Sequence, residues 1–306
     1  MQLNVILMTM LLLEPQSWKD YELIDSGNFE KLERFGSYVV ARPEPQAVWN
    51  KSLSDAEWER MANAYFKKDK GQKSGQDERG TWIKKKGMPE QWVVSYHYQN
   101  MALKMRLGLT SFKHVGLFPE QGENWNYINR VVKKMKTPQP KVLNLFAYTG
   151  GASIAAKASG ADVTHVDSVK QVVTWSRENM ELSGLNNIRW IVDDALKFVR
   201  REVKRGNKYN GIILDPPAYG RGPDGERWIL EDNILELIQC CREMLDPEEG
   251  FLVLNLYSMG FSAIIAETLI HQTFGKDINL EMGELYLNDR FDKKLPLGVF
   301  CRFTNF

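Results

Sequence analysis

The sequence predicts an α/β fold over residues 141–306, with a doubly wound and mostly parallel sheet. Here short apolar runs of four to seven residues alternate with amphipathic stretches of about 10 to 16 residues. Runs that are apolar throughout are typical of parallel strands whose two faces are both covered by helices. The last 25 residues instead carry two strand-like runs joined by a turn that contains Pro and Gly. This ending predicts an antiparallel hairpin that closes the sheet.

Each element of this part follows from the same alternation. A helix between consecutive strands of one sheet crosses over the face of the sheet, which lets the strands run parallel. Such crossovers are right-handed. With the closing hairpin, the sheet is expected to have seven strands. The predicted strands are residues 142–146, 162–167, 188–193, 211–215, 251–257, 283–287 and 298–304, and the predicted helices are residues 152–159, 170–183, 195–205, 229–245 and 262–274.

Residues 1–112 are predicted to form a smaller β-rich domain, and residues 113–306 the larger domain. Segments of alternating or aromatic-rich character, broken by Gly, Pro and charge, are typical of strands and loops. A helix is predicted within residues 51–68, where Ser54 and Glu57 have the spacing of a capping box. The strand-like segments are residues 38–41, 92–96 and 102–107.

The apolar run at residues 3–13 is expected to be an N-terminal strand. It has no basic region before it and no small-residue cleavage site after it, and it is too short to span a bilayer. Part of it is alternatively extra sequence before an internal start at Met8 or Met10. Neither interpretation predicts a membrane protein.

Composition indicates a globular protein of one large or two ordinary domains. The 306 residues are 43% hydrophobic and carry 40 Lys and Arg against 39 Asp and Glu, which excludes disordered and fibrous classes. Cys240, Cys241 and Cys301 show neither a disulfide framework nor the paired CxxC spacing of a zinc site. A reducing, cytoplasmic setting without a bound metal is therefore expected.

Candidate site residues follow the predicted strands, because open α/β sheets bind ligands at the carboxyl ends of their strands. After the first strand, Gly150 and Gly151 open a helix and let the backbone approach a ligand, although a tight turn alone explains them equally well. The second strand ends in Asp167, 17 residues after Gly150. That spacing suits a carboxylate that binds ribose hydroxyls, with a helix N-cap as the alternative. Asp193, Asp194 and Asp215 end the next two strands.

The acidic side chains decide between nucleotide cofactors. They would repel phosphates, and the chain lacks both the GxGxxG motif of dinucleotide binding and the GxxxxGK[ST] motif of a P-loop. A ligand with an adenine, a ribose diol, a positive charge and no phosphate suits this site best. S-adenosyl-L-methionine has these properties.

The segment from Asp215 to Tyr219, with the sequence DPPAY, is the candidate site of the chemistry. Pro216 and Pro217 carry no N–H, so nearby carbonyl groups remain able to accept a hydrogen bond from an amine or a ring N–H. Tyr219 is able to stack on a planar substrate. The alternative is a rigid loop with a packed tyrosine.

The motifs VLNLFAYTGGAS, THVDSV, VDDAL and DPPAYGRG resemble the class I S-adenosylmethionine-dependent methyltransferases. They are most similar to the bacterial 23S rRNA methyltransferases that modify cytosine C5 or guanine N7, and the segment HVGLFPEQGENW resembles the strand and turn before that family's catalytic domain. The resemblance covers about residues 110–306 and implies a Rossmann-like fold. The cofactor residues that it implies are Phe118, Glu120, Gln121, Asn144, Phe146, Ala147, Tyr148, Thr149, Gly150, Gly151, Asp167, Ser168, Asp193, Asp194, Ala195 and Asp215, and the catalytic residues are Asp215, Pro216, Pro217 and Tyr219.

Two departures from that family limit what the resemblance implies. Methylation of cytosine C5 needs a thiolate, and relatives with this activity carry a Cys after the fifth strand, where this chain reads Asn255, Leu256, Tyr257 and Ser258. A nitrogen or oxygen acceptor is therefore favoured. The residues before His114 are also too few to hold an RNA-binding PUA module together with the family's usual intermediate domain.

The distribution of charge bears on the partner. Residues 1–140 hold 21 basic and 16 acidic residues, a net charge of +5, and the remainder has 19 basic and 23 acidic residues, a net charge of −4. Residues 66–86 hold eight Lys or Arg and three acids, with Trp82 among them, which favours a phosphate-contacting loop or simply a solvated one. Large-subunit rRNA is the expected partner. A small molecule or protein side chain as substrate, and a non-catalytic S-adenosylmethionine-binding assembly factor, remain the alternatives.

Overall fold

The computed structural model describes residues 10–69, 79–257 and 260–306. The N-terminal part contains β1 to β8 and α1, and the remainder contains α2 to α7 and β9 to β17. The strands are β1 Leu11–Leu13, β2 Tyr21–Gly27, β3 Glu30–Phe35, β4 Tyr38–Pro43, β5 Ala64–Lys68, β6 Gly80–Lys84, β7 Gln91–Tyr98, β8 Met101–Gly108, β9 Lys141–Leu145, β10 Asp162–Asp167, β11 Ile188–Val192, β12 Gly211–Leu214, β13 Tyr219–Arg221, β14 Arg227–Ile229, β15 Phe251–Leu256, β16 Asn279–Asn288 and β17 Lys294–Thr304. The helices are α1 Asp55–Met61, α2 Gly122–Lys134, α3 Gly151–Ala158, α4 Lys170–Leu182, α5 Ala195–Lys204, α6 Leu230–Met244 and α7 Ala263–Phe274.

The main sheet confirms the predicted Rossmann-like α/β class. Its strand order is β1-β16-β17-β15-β12-β9-β10-β11. The five strands from β15 to β11 run parallel, and β17 is antiparallel to both of its neighbours, as predicted for the closing hairpin. The order reverses beside β9, so β9 and β12 flank the switch point at which such sheets bind ligands.

The sheet has eight strands in the described part of the chain, one more than the seven predicted. The additional strand is β1, which pairs in parallel with β16, Leu11 facing Gly283. A Cβ atom at Gly283 would lie 1.8 Å from the carbonyl oxygen of Leu11, so glycine allows this close pairing. The predicted N-terminal strand is therefore present at Leu11–Leu13, and residues 1–9 lie outside the described residues.

Helices cover both faces of the sheet, which is why its strands are apolar throughout. Ile154 of α3 and Val131 of α2 belong to the core on one face. Phe198 of α5, Leu237 of α6 and Ala266 of α7 belong to the core on the other face. Each predicted helix after residue 150 is present within one residue of its predicted bounds.

The N-terminal part consists of a five-stranded sheet, in the order β2-β3-β4-β5-β6, and the hairpin β7–β8. The capping box is present, because the Ser54 side chain accepts from the Glu57 N–H and the Glu57 side chain accepts from the Ser54 N–H. The helix ends at Met61, however, and residues 64–68 form β5. Its alternating burial explains why the prediction of a helix up to residue 68 was wrong.

The segment before the catalytic part also differs from expectation. The resemblance implied a strand and turn in HVGLFPEQGENW, but the described structure has a 3-10 turn at Pro119–Gln121 followed by α2, without a strand. Trp125 and Ile128, three residues apart, both lie on the buried side of α2. The hairpin β7–β8 packs against α4, where Trp175 Nε1 donates to the Arg106 carbonyl oxygen at 2.9 Å. The division into domains at residue 112 stays a prediction.

Candidate active site

A cleft with about 540 Å³ of empty volume lies at the carboxyl ends of β9, β12 and β15. Most of the residues predicted after β9 line it, together with side chains from α2 and from the segment before it. The lining residues are Met105, Leu117, Phe118, Gln121, Asn124, Trp125, Asn144, Phe146, Ala147, Tyr148, Thr149, Gly151, Ala152, Ile213, Leu214, Asp215, Val253 and Asn255. This position agrees with the switch point of the strand order.

The loop after β9 has an unusual backbone that its neighbours hold in place. Phe146 and Tyr148 have φ values of 54° and 48°, in the left-handed region that non-glycine residues rarely adopt. The Ser176 hydroxyl of α4 donates to the Tyr148 carbonyl oxygen at 2.6 Å, and Asn179 Nδ2 donates to the Thr149 carbonyl oxygen at 2.9 Å. Strained backbone of this kind persists where surrounding contacts fix it, and it is concentrated at functional sites.

The two glycines of this loop, Gly150 and Gly151, are required for different structural reasons. Gly150 has φ 86° and is the N-cap of α3, so it supplies a left-handed turn. Gly151 lies against Trp125, and a Cβ atom there would be 2.4 Å from Trp125 Cζ2. The absence of a side chain at Gly151 therefore lets α3 approach α2 closely.

Asn144, on β9, is the first member of a buried chain of polar groups beneath the cleft. Its Nδ2 donates to the Ser153 hydroxyl at 2.9 Å, and that hydroxyl lies 2.9 Å from Nδ1 of His165. Burial lowers the pKa of His165 to about 3, so the imidazole is neutral at physiological pH. This network fixes the Asn144 amide at the floor of the cleft.

Asp167 ends β10 beside the loop after β9. Its Oδ2 accepts from the Tyr148 N–H and its Oδ1 from the Val169 N–H, both at 2.9 Å. Burial raises the pKa of this carboxyl, while the backbone donors, including Ser168, lower it. Each oxygen retains a second lone pair, so the carboxylate is able to accept hydrogen bonds from a diol while it also organises the loop.

The acidic residues after β11 are held by local contacts. Asp194 is the N-cap of α5, and its side chain accepts from the Lys197 N–H at 2.8 Å, while Ala195 is the first residue of that helix. Asp193 pairs with Arg201. Their strand lies next to β10 in the sheet, so they extend the rim beyond Asp167 without lining the cleft itself.

Asp215 directly follows β12 and lines the cleft. Burial raises its pKa to about 6, and a hydrogen bond of 2.8 Å from Asn255 Nδ2 to Asp215 Oδ1 lowers it. Asn255 is 3% exposed, and its Oδ1 has no hydrogen-bond partner among the described residues. An unsatisfied buried acceptor is costly unless a ligand supplies the donor. The sequence did not identify Asn255 as a site residue. It showed only that Asn255 belongs to the segment in which some relatives carry a cysteine.

The segment after Asp215 is braced by a short hairpin, β13–β14. Trp228 Nε1 donates to the Pro217 carbonyl oxygen at 2.7 Å, and the Trp228 ring packs on Phe146 with centroids 4.7 Å apart. Pro216 is buried, whereas Tyr219 is 52% exposed. The tyrosine ring is therefore available at the surface beside the cleft, as stacking on a planar substrate would need.

The predicted residues before α2 separate into two clefts. Phe118 and Gln121 line the cleft described above, which we call the first cleft. Glu120 does not line it. It lines a neighbouring space with about 290 Å³ of empty volume, which we call the second cleft. Phe118 belongs to both. The second cleft is lined by Lys31, Arg42, Pro43, Glu44, Lys113, His114, Phe118, Glu120, Tyr257 and Leu297.

Trp82 does not have the exposed position expected of an aromatic group that contacts nucleic acid. It is 8% exposed, its ring packs on Phe66, and its Nε1 donates to the Phe112 carbonyl oxygen at 3.1 Å. Lys67 and Lys68 of the same basic stretch are exposed. Residues 70–78 of this stretch lie outside the described residues.

The hydrogen-bond acceptors in and beside the first cleft suit a cationic adenosine derivative. They are the Asp215 carboxylate, the Asn255 Oδ1 without a partner among the described residues, and the nearby Asp167 carboxylate. In agreement, residues 74–289 match the model of a family described as S-adenosylmethionine-dependent methyltransferases. The chain belongs to this family. S-adenosylmethionine is accordingly its cofactor, and methyl transfer its class of reaction.

Solved and curated methyltransferases agree with the family assignment. The crystal structure of an S-adenosylmethionine-dependent methyltransferase from Agrobacterium tumefaciens is 38% identical, with a TM-score of 0.87 over 96% of this chain and 93% of that chain. A candidate methyltransferase complexed with SAH is 18% identical, with a TM-score of 0.67 over 93% of this chain and 75% of that one, and shows the same fold. The ribosomal RNA large subunit methyltransferase K/L of Shewanella frigidimarina is 31% identical over 159 residues, which are 50% of this chain. The chain covers 21% of the length of that relative.

Two further features of the described residues concern other kinds of site. They contain no cluster of three or more His, Cys, Asp or Glu side chains arranged to hold a metal ion. Of the helices in residues 10–69, 79–257 and 260–306, none is both long and apolar enough to cross a membrane.

Proposed function

We propose that this methyltransferase modifies a base nitrogen in large-subunit ribosomal RNA. The observation that carries the proposal is a pair of hydrogen-bond acceptors on two residues that line the first cleft, the Asp215 carboxylate and the buried Asn255 Oδ1, which lacks a partner among the described residues. Both groups are suited to an acceptor that donates N–H hydrogen bonds, such as an amino group or a protonated ring nitrogen.

The cysteines support a nitrogen acceptor over cytosine C5. All three are free and buried in the core, away from the first cleft. Burial raises the pKa of the Cys301 thiol to about 12 and that of Cys241 further. A thiol that stays protonated and buried is a poor nucleophile. The same free thiols support a reducing, cytoplasmic setting.

In this proposal the chain aligns the acceptor and excludes water. Bound S-adenosylmethionine supplies an electrophilic methyl group, Asp167 holds its ribose, and the residues from Phe146 to Gly151 surround its methionine part. Asp215 accepts a hydrogen bond from the acceptor nitrogen and takes up the proton that this nitrogen loses. With a pKa of about 6, Asp215 is mostly ionised at pH 7 and is therefore able to accept that proton. Alignment of this kind supplies much of the acceleration in group transfer.

Three features support RNA as the substrate. The related K/L enzyme is named a ribosomal RNA large subunit methyltransferase. Arg221 and Arg227, on the hairpin beside Tyr219, are exposed, and exposed arginines near a stacking aromatic ring suit a phosphate backbone and a base. Residues 1–140 also carry a net charge of +5.

The test compares rRNA from a strain that lacks this gene with rRNA from its parent by nucleoside mass spectrometry. We expect one methylated nucleoside to be missing in the deletion strain and to return when the wild-type gene is restored. The Tyr219→Ala variant should restore little of it, whereas Tyr286→Ala, on β16 and outside both clefts, should restore it fully. Identical methyl profiles in the parent and the deletion strain would show that rRNA is not the substrate.

A further inference from the structure

The second cleft lies between the N-terminal sheet and the catalytic part. Lys31 and Arg42 enter it from β3 and β4, Glu120 from the turn before α2, and Tyr257 from the end of β15. It adjoins the first cleft at Phe118, whose ring packs on that of Tyr148 in the loop after β9, with centroids 5.4 Å apart. Groups in the second cleft therefore lie close to the residues that line the first cleft.

Most charged groups of this region are matched with one another. Arg42 donates from Nε and Nη2 to the two oxygens of Glu33 at 2.5 and 3.1 Å, and the Tyr21 hydroxyl donates to the same carboxylate at 2.8 Å. Lys31 Nζ lies 3.1 Å from Glu44. Buried charges persist where they are paired in this way.

Glu44 also connects the two parts of the chain. The Tyr257 hydroxyl donates to Glu44 Oε1 at 2.9 Å. Tyr257 follows β15 directly after Asn255 and Leu256, so the wall of the second cleft continues into the strand that carries the Asn255 acceptor. The pairing of Glu44 leaves little capacity on that carboxylate for a ligand.

Glu120 differs from the other acids of the cleft. It is 4% exposed and lines the second cleft beside Lys31 and Arg42, and its side chain accepts from its own backbone N–H. Burial raises its pKa to about 7, opposed by Lys31, its own N–H and Arg42. Burial of a carboxylate is unfavourable unless hydrogen bonds compensate for it, so a group that donates further hydrogen bonds to Glu120 would stabilise its ionised form.

We propose that the second cleft receives the edge of the acceptor base, and that the Glu120 carboxylate accepts hydrogen bonds from an amino group or ring N–H on that edge. This inference rests on the proposed function and adds a recognition residue to it. Enzymes that act on bases turn the base out of the stack and hydrogen-bond its Watson–Crick edge. A carboxylate in such a position selects bases that carry an amino group.

Ionisation of Glu120 gives this recognition a pH signature, because only the carboxylate accepts hydrogen bonds with both oxygens. In the wild type, kcat/KM for RNA should fall as the pH drops below about 7. Neighbouring groups contribute as well, so the assignment depends on a comparison with a Glu120 variant. The titratable and charged groups around Glu120 are Tyr21, Lys31, Glu33, Arg42, Glu44, Lys113, His114 and Tyr257.

The test uses Glu120→Gln in the full-length protein, with rRNA from the deletion strain and labelled S-adenosylmethionine as substrates. We expect kcat/KM for RNA to fall about 10- to 100-fold, the loss of a hydrogen bond to a charged group. The loss should appear mainly in KM, the decline attributed to Glu120 should disappear from the pH profile, and calorimetric affinity for SAH should stay within about twofold of wild type.

Glu123→Gln is the matched control, three residues further along, since Glu123 accepts from Asn126 outside the second cleft. Glu120→Asp keeps the charge but shortens the side chain by one methylene, so it should also raise KM for RNA. This variant replaces Glu120→Gln in the test if Glu120→Gln does not fold. Wild-type KM and pH profile in a folded Glu120 variant would overturn the inference while leaving the proposed function standing. If the wild type itself modifies no rRNA, the proposed function fails instead.

Discussion

Asn255 Nδ2 donates a hydrogen bond of 2.8 Å to Asp215 Oδ1, across the carboxyl ends of two neighbouring parallel strands. The bond orients the amide of Asn255, a residue that lines the first cleft, and leaves its Oδ1 buried without a partner among the described residues. It also stabilises the ionised form of Asp215 against the burial that raises the pKa of that group. One side chain thus sets both the charge and the hydrogen-bonding pattern of the acceptor site.

Replacement of Asn255 by Ala should raise the pKa of Asp215 above about 6, since the hydrogen bond that lowers it is lost. We expect the acidic limb of the pH profile of methyl transfer to move to higher pH, and the rate at pH 7 to fall about 10-fold or more. Asn279→Ala, at the exposed start of β16, is the control. An unshifted pH profile for Asn255→Ala would show that ionisation of Asp215 does not control the rate of methyl transfer.

Asp167→Ala should weaken SAH binding about 10-fold or more, because the carboxylate accepts from the Tyr148 N–H and, in our proposal, also binds the ribose. Since burial raises the pKa of Asp167, wild-type affinity should also fall as the pH falls through that raised value. Calorimetry measures both effects. Asp162→Ala, at the exposed opposite end of the same strand, should bind like wild type, and equal affinity of both variants would refute the ribose assignment.

Gly150→Ala and Gly160→Ala form a matched pair of variants that tests the loop after β9. Both glycines have positive φ, 86° and 107°, but a Cβ at Gly150 would lie 3.1 Å from Ser176 Cβ, whereas one at Gly160 would meet nothing within 4 Å. Both variants should lose about 1–2 kcal/mol of stability from backbone strain. Only Gly150→Ala should also lose SAH affinity, since it displaces the Ser176 side chain that fixes Tyr148. Similar affinities in the two variants would show that the loop tolerates this shift.

Glu120→Gln should stabilise the protein at high pH. Folding raises the pKa of Glu120 from 4.5 to about 7, so the folded state binds the proton more tightly, and stability is lost as the pH rises from 4.5 through 7. The free energy of unfolding of the variant should exceed that of wild type by about 3 kcal/mol at pH 8 and by about 1 kcal/mol or less at pH 5. Denaturant unfolding at both pH values measures this. A variant that is equally destabilised at both would indicate that Glu120 has a protein partner.

The sequence predicted the elements of the main sheet well because burial on both faces leaves a plain apolar signal. It was less informative where one residue decides the direction of a side chain. Glu120 and Gln121 are adjacent in sequence, yet the 3-10 turn directs them into different clefts. Trp82 lies in a segment whose basic and aromatic composition suggested a binding surface, but its ring is in the core. Such outcomes depend on tertiary packing, which residue type and spacing do not encode locally.

The pairing of β1 with β16 has a consequence for solubility. Without Leu11–Leu13, the backbone N–H and C=O groups of Gly283–Leu285 would lie at an open sheet edge, and open edges recruit strands from other molecules. Glu14 continues this attachment, since its carboxylate accepts from the backbone N–H and the side-chain amide of Asn288. A shortened chain that begins after Glu14 should therefore aggregate at concentrations at which the full chain stays dispersed, even though the residues of its first cleft are all present.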